Sequence, residues 1–235
     1  MPRTPSAPAR RIPPREPPHL ALARLDETLA AVIERVGPPT LKVERAPLFQ
    51  ALAHAITYQQ LNGKAAATIL ARWTALVPGD TFPEPAEVLA LSEQQLRGAG
   101  LSFAKIAAIR DLAAKCVEGS LPSARAIAGL SDEEVIAALT SVRGVGRWTV
   151  EMFLIFRLGR EDVLSVGDFG VRNGFRITYG LSEMPSPKAL AAHGERWRPH
   201  RTLATWYLWR AVDLHREDPK QSPRPRPSAG GITGA

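Results

Sequence analysis

The sequence predicts an all-α fold, and three observations carry that expectation. Apolar residues recur at three- and four-residue spacing from Leu20 to Val212, the period of a helix with one buried face. Ser, Asn and Pro stand where these segments start and Gly or Pro where they stop, the residues that open and close helices. Period-two alternation over strand length is missing apart from an ambiguous Val163–Val166.

Taken in order, residues 1–18 are dense in Pro and Arg without apolar periodicity and read as a disordered or polyproline tail. From Leu20 to Val36 one helix is expected, with Leu25, Leu29, Val32, Ile33 and Val36 on one face and Gly37-Pro38-Pro39 as its stop. Pro47 suits the first turn of the next, which turns Leu48, Leu52, Ala55 and Ile56 inward and ends at Tyr58-Gln59-Gln60. Asn62 can cap a helix whose inner stripe is Ala66, Ile69, Leu70, Trp73 and Val77, and a loop follows around Val77–Pro85. Ser92 with Gln95 makes a weak capping box, and Ser102 opens a helix with Ile106, Ile109, Leu112, Ala113 and Cys116 inward and Gly119 as its stop. Ser131 with Glu134 is a clear capping box. Its helix runs into a glycine turn, after which Trp148, Met152, Ile155 and Phe156 line one face of a helix closed by Gly159. Asp168 heads a helix to Tyr179, Ser186-Pro187 opens another, and the last follows Pro199 with Leu203, Tyr207, Leu208 and Val212 inward. Residues 19–218 thus form the helical unit, and 219–235 are a second Pro/Gly/Arg tail.

A chain of 235 residues that is 45% hydrophobic can bury one substantial core or two small lobes. A single cysteine excludes a disulfide framework and a four-cysteine zinc or iron–sulfur site. Among Leu112, Ala113 and Val117, Cys116 reads as a buried structural thiol. No apolar run approaches the roughly 20 residues of a membrane helix, so a soluble protein is expected. The net charge of +7 is concentrated at the ends. Residues 1–18 hold four Arg and one Glu, and 219–235 hold one Lys and two Arg, leaving +1 for the remainder. Within it, 19–139 has 11 basic and 13 acidic residues and 140–215 has 11 and 7, so the positive half coincides with the glycine turn.

That turn is Val142-Arg143-Gly144-Val145-Gly146. Two glycines let several amides point outward together beside a helix N-terminus, a geometry that attracts a phosphate without reading sequence. An ordinary helix–helix turn with glycine caps is the alternative. Asp168, between Val166 and Phe169 and flanked by glycines, can cap the helix it heads or do chemistry, and the two are compatible.

The segments YQQLNGKAA, LTSVRGVGRWTVEMF, VGDFGVRNGF and RPHRTLATWYLW, collinear from Leu48 to Leu214, resemble the helix–hairpin–helix DNA glycosylase superfamily. The resemblance is greatest to its DNA-3-methyladenine glycosylase II (AlkA-type) branch. It implies a two-lobed helical fold with the active site between the lobes and the hairpin at 131–158. Some bacterial members carry an N-terminal β domain, and none is expected ahead of Leu20. It implies catalysis by Asp168, whose carboxylate would stabilise the oxocarbenium-like sugar or orient water. Relatives that also cleave the strand carry a lysine at the position of Trp148; an indole cannot form a Schiff base, and no lysine occurs in 139–187, so a monofunctional enzyme without AP-lyase activity is expected.

By the same resemblance Trp209 and Trp148 supply the aromatic base pocket, and Met152 stands where some relatives have an aromatic wall. Stacking on an electron-rich indole suits cationic alkylated purines of the 3-methyladenine or 7-methylguanine type. The Tyr58–Leu61 turn would be the wedge that fills the gap left by a flipped base, with Gln60 inserted beside Gln59. Arg143, Arg147 and Arg172 join Gly144, Val145 and Gly146 as candidate phosphate contacts, though solvated faces are the simpler reading of any single Arg. No cofactor is required; the carbonyls of Thr140, Val142 and Val145 would hold a structural Na+ or K+. Duplex DNA with alkylated bases is the expected partner, bound by a monomer in the bacterial cytoplasm without membrane attachment. The other readings are a glycosylase for uracil or 8-oxoguanine, and a non-catalytic binder of damaged DNA.

Overall fold

The structure, a computed structural model, describes residues 16–218. The tail readings for 1–15 and 219–235 lie outside them. The helices are α1 (Pro18–Leu25), α2 (Glu27–Val36), α3 (Leu48–Tyr58), α4 (Gly63–Thr74), α5 (Pro85–Ala90), α6 (Glu93–Gly98), α7 (Phe103–Val117), α8 (Ala124–Gly129), α9 (Asp132–Leu139), α10 (Arg147–Phe153), α11 (Phe169–Tyr179), α12 (Pro187–Gly194) and α13 (Arg201–Glu217). Among the described residues there is no strand, and no helix is long and apolar enough to cross a membrane. Val163–Val166 is a loop: the Val163 amide donates to Thr202 Oγ1 at 3.0 Å and Thr205 Oγ1 donates to the Val163 carbonyl at 3.2 Å. Side chains of α13 take the place of a strand partner.

The capping signals hold where they are local. Asn62, Ser92, Ser102, Ser131 and Ser186 each accept from a first-turn amide of the helix they head. Departures arise where tertiary contacts compete. The expected Leu20–Val36 helix is two, because Asp26 is extended (φ −151°) and caps α2 through Thr28 N and Leu29 N. Its second oxygen accepts from Tyr179 Oη at 2.6 Å and Trp197 Nε1 at 2.9 Å, with His193 Nε2 at 3.2 Å. Leu25, expected inward, is consequently 46% exposed. Helix α1 begins at Pro18, so the first tail ends sooner than its composition suggested. Short α5 and α8 were not legible in the periodicity. Cys116 is half-buried against the first core, and burial raises its thiol pKa. After α10 the chain widens into a π turn at Leu154–Leu158, closed by Gly159 at φ +67°.

Two apolar cores result. The middle of the chain, from Phe49 to Val163, builds one, including Leu52, Trp73, Ile109 and Leu139. The two ends meet in the other, around Leu29, Phe175, Trp197 and Tyr207. Trp209 packs against both cores. In the second lobe α11 lies close against α13: a Cβ on Gly174 would stand 2.0 Å from the Leu208 carbonyl oxygen, so this crossing requires glycine.

Candidate active site

The hairpin turn joins α9 to α10. Val142 and Val145 are buried beneath it, and the Val145 amide donates to the Val142 carbonyl at 3.1 Å. Gly144 takes φ +73°, which a side chain would strain. Gly146 caps α10 without a side chain, leaving the first-turn amides of α10 uncapped by any side chain at the surface. Two long-range contacts hold the turn. Asp111 Oδ2 on α7 accepts the Arg143 amide at 2.8 Å, and Gln59 Nε2 donates to the Gly144 carbonyl at 3.0 Å. The Arg143 amide and Lys115 keep the Asp111 carboxyl below the usual carboxylate range despite its desolvation.

Gln59 and Gln60 end α3. Gln60 adopts φ +57°, a left-handed conformation that costs a non-glycine residue about 1 kcal/mol. Strain of this kind persists where neighbours enforce it, and Lys105 does so. Its Nζ donates to the carbonyls of Thr57 at 2.7 Å and Gln59 at 2.8 Å, and burial lowers its pKa. An ammonium at a helix C-terminus also meets the negative end of the helix dipole. Lys105 was invisible to sequence reasoning because it is 48 residues from one of its partners.

Asp168 caps α11 by accepting the Val171 amide at 2.7 Å. Both tryptophans converge on it: Trp209 Nε1 donates to Oδ1 at 3.0 Å and Trp148 Nε1 to Oδ2 at 2.6 Å. The carboxylate is therefore oriented from three directions while Oδ2 keeps a free lone pair. Gly170 makes room, since a Cβ there would meet Trp209 Cδ1 at 3.0 Å and Asp168 Oδ1 at 3.1 Å. Trp148 is 49% exposed and also lines a cavity of about 680 Å3 with Tyr58, Gln59, Gln60, Gly146 and Met152. A second cavity of about 450 Å3 shares Met152 and Thr149 and adds His54 and Phe156. Phe156 stacks on Trp209 with centroids 6.0 Å apart, and His54 stacks on Tyr58 at 4.1 Å. Burial lowers the His54 pKa, and Arg157 adds to the effect.

The structure therefore gathers Asp168, Trp148 and Trp209 at one point, with Met152, Gln59, Gln60 and the Gly144–Gly146 turn around the adjoining cavity. Trp209 is drawn into holding Asp168 and packing on Phe156 and does not line either cavity. Arg147 is committed internally, to Glu133 and to Glu151 Oε1 at 3.1 Å, and Arg172 Nε donates to the Pro185 carbonyl at 2.9 Å. Lys105, Asp111, His54 and Phe156 are additions that sequence reasoning missed. Phe169, 67% exposed directly after Asp168, is a further aromatic that periodicity alone did not single out.

Two helical lobes, a glycine hairpin with open amides, and one carboxylate clamped beside the cavity define a helix–hairpin–helix protein built for nucleic-acid chemistry. The chain belongs to the HhH-GPD superfamily of base excision DNA repair proteins, matched over residues 53–199. It is 36% identical over 195 residues to DNA-3-methyladenine glycosylase 1 of Schizosaccharomyces pombe, covering 82% of this chain and 86% of that one. Among solved structures it is similar to a 3-methyladenine DNA glycosylase from the same yeast in complex with abasic DNA (TM-score 0.75, 35% identity, 84% of this chain and 97% of that one). It also resembles a DNA-3-methyladenine glycosidase from Bacillus halodurans (TM-score 0.78, 38% identity, 87% and 93%).

Proposed function

We propose that this protein is a monofunctional DNA glycosylase that flips an alkylated purine out of duplex DNA and hydrolyses its N-glycosidic bond, starting base excision repair. The observation that carries the reading is Asp168, held by two indole N–H groups and an amide beside a cavity lined by Trp148. As the purine leaves, positive charge builds on the sugar; a preoriented carboxylate offsets it or orients the attacking water without rearranging. The aromatic wall suits a cationic alkylpurine. Where a lyase needs an amine, this cleft presents an indole. The strained Gln60 supports the wedge reading, because a side chain already turned outward fills the vacated stack at less cost.

The hairpin amides and Arg143 would grip the phosphate backbone of duplex DNA, and the protein would act as a monomer in the bacterial cytoplasm. This reading requires no cofactor. Carbonyl oxygens suit an alkali cation, and the Val142 carbonyl keeps a lone pair beyond its bond to Val145. Thr140, Val142 and Val145 would hold Na+ or K+ there, and the ion would add positive charge at the phosphate site. The deciding experiment measures free base released from methylated duplex DNA by wild type and Asp168→Asn, with uracil- and 8-oxoguanine-containing duplexes alongside. Wild type should release alkylpurines, and the variant should be slower by about 10²–10³-fold or more while still binding abasic duplex. Equal release from both, or none from wild type, overturns the reading. Preferential release of uracil or 8-oxoguanine would reassign the substrate.

A further inference from the structure

The catalytic carboxylate sits on a turn, and something must hold that turn. Asp168 N donates to the Ser165 carbonyl at 3.1 Å, so Ser165 opens the turn that presents Asp168. The Ser165 side chain is fully buried, and its hydroxyl donates at 2.5 Å to Oε2 of Glu151, itself only 4% exposed. The other Glu151 oxygen accepts from Arg147 Nε at 3.1 Å, and Arg147 reaches on to Glu133 of α9. A continuous polar chain therefore runs from the hairpin to the turn bearing Asp168: Glu133, Arg147, Glu151, Ser165. Nothing in helix periodicity accounts for Glu151. A carboxylate stands on the buried side of α10 next to Val150 and Phe153, both buried, where an apolar residue would cost less.

We infer that Glu151 is a positioning residue for base release, setting the place of Asp168 through Ser165. The inference rests on the reading of Asp168 given above. Burying a carboxylate is unfavourable, and here two directional donors compensate it, which specifies one geometry where an apolar contact would allow several. Asp168 must stand within a few tenths of an ångström of its productive position to act, and a misplacement of about 1 Å is enough to lose about 10²-fold in rate. Desolvation raises the Glu151 pKa, while Ser165 and Arg147 oppose the shift. The charged groups facing it are Arg147 and Glu133, with Asp132, Asp162, Arg198 and Arg201 around the same polar cavity.

The test is single-turnover base release together with affinity for abasic duplex. Glu151→Ala and Ser165→Ala should each slow release by about 10- to 100-fold with affinity changed less than about threefold. The double variant should be no slower than the worse single one, because both break the same link. Glu151→Gln, whose carbonyl still accepts from Ser165, should recover most of the rate. Additive losses, affinity falling in step with rate, or a Glu151→Gln as slow as Glu151→Ala would each overturn the inference. If Glu151→Ala does not fold, Ser165→Ala and Glu151→Gln still decide. An inactive Asp168→Asn alongside a normal Ser165→Ala would refute only this inference; an active Asp168→Asn would refute the reading beneath it.

Discussion

Replacing Gly174 by Ala tests the packing that places the site. A Cβ there would lie 2.0 Å from the Leu208 carbonyl oxygen and 2.6 Å from its carbon. Ordinary contact begins at 3.4 Å, so the two helices must separate by about 1.4 Å along that direction. The obstacle is backbone and cannot rotate away. Overpacking costs about 1–3 kcal/mol in general and about 3–4 kcal/mol against backbone that cannot move, while alanine returns about 1 kcal/mol of helix propensity. The net loss is about 2–3 kcal/mol, which lowers Tm by about 4–12 °C in a domain of this size. The consequence reaches the site, since Asp168 caps α11 and Trp209 rides on α13. Their 3.0 Å hydrogen bond lengthens beyond range, and base release should fall by about 10-fold or more. Thermal melting by circular dichroism and single-turnover release would be measured together. A variant as stable as wild type, or more so, would show that helix propensity, and not close approach, governs Gly174.

Other consequences are equally direct. Asp26→Asn sets amide hydrogens against the donors of Tyr179 and Trp197 and should cost about 3 kcal/mol, read by urea denaturation. Because desolvation is outweighed by the bonds from His193, Tyr179 and Trp197, which hold the folded-state pKa of Asp26 below its unfolded value, its contribution is fully present above about pH 4 and is lost as pH falls towards the folded value. Wild type should therefore lose stability steeply below pH 4, and Asp26→Asn less so. Gln60→Gly removes a left-handed strain of about 1 kcal/mol, so Tm should hold or rise while release from duplex slows more than release from single strands. Borohydride should trap no covalent adduct between the protein and damaged DNA; a trapped adduct would refute the monofunctional reading of Trp148.

The fold was legible wherever its cause is local. A capping Ser reads an amide three residues away, as Ser131 and Ser186 do, and an apolar stripe needs only its own helix to be seen. Asp168 and Trp148 were legible as a pair through the motif around them. Distance hid the rest. The break at Asp26 is made by Tyr179, His193 and Trp197, more than 150 residues on. The Gln59–Gln60 turn is held by Lys105, and the turn bearing Asp168 by Glu151.

By itself, then, the amino-acid sequence determined that the chain is helical, where most helices begin, and which carboxylate and indole stand beside the hairpin. Those depend on backbone propensities and on spacing within a few residues. Only the tertiary structure decided that two indoles share one carboxylate, that Arg147 is paired with Glu133 and Glu151, and that a buried glutamate holds the turn carrying Asp168. Apart from the Arg147–Glu151 pair, which spans one turn of a single helix, such contacts join residues that periodicity cannot relate, because they exist only once the fold brings them together.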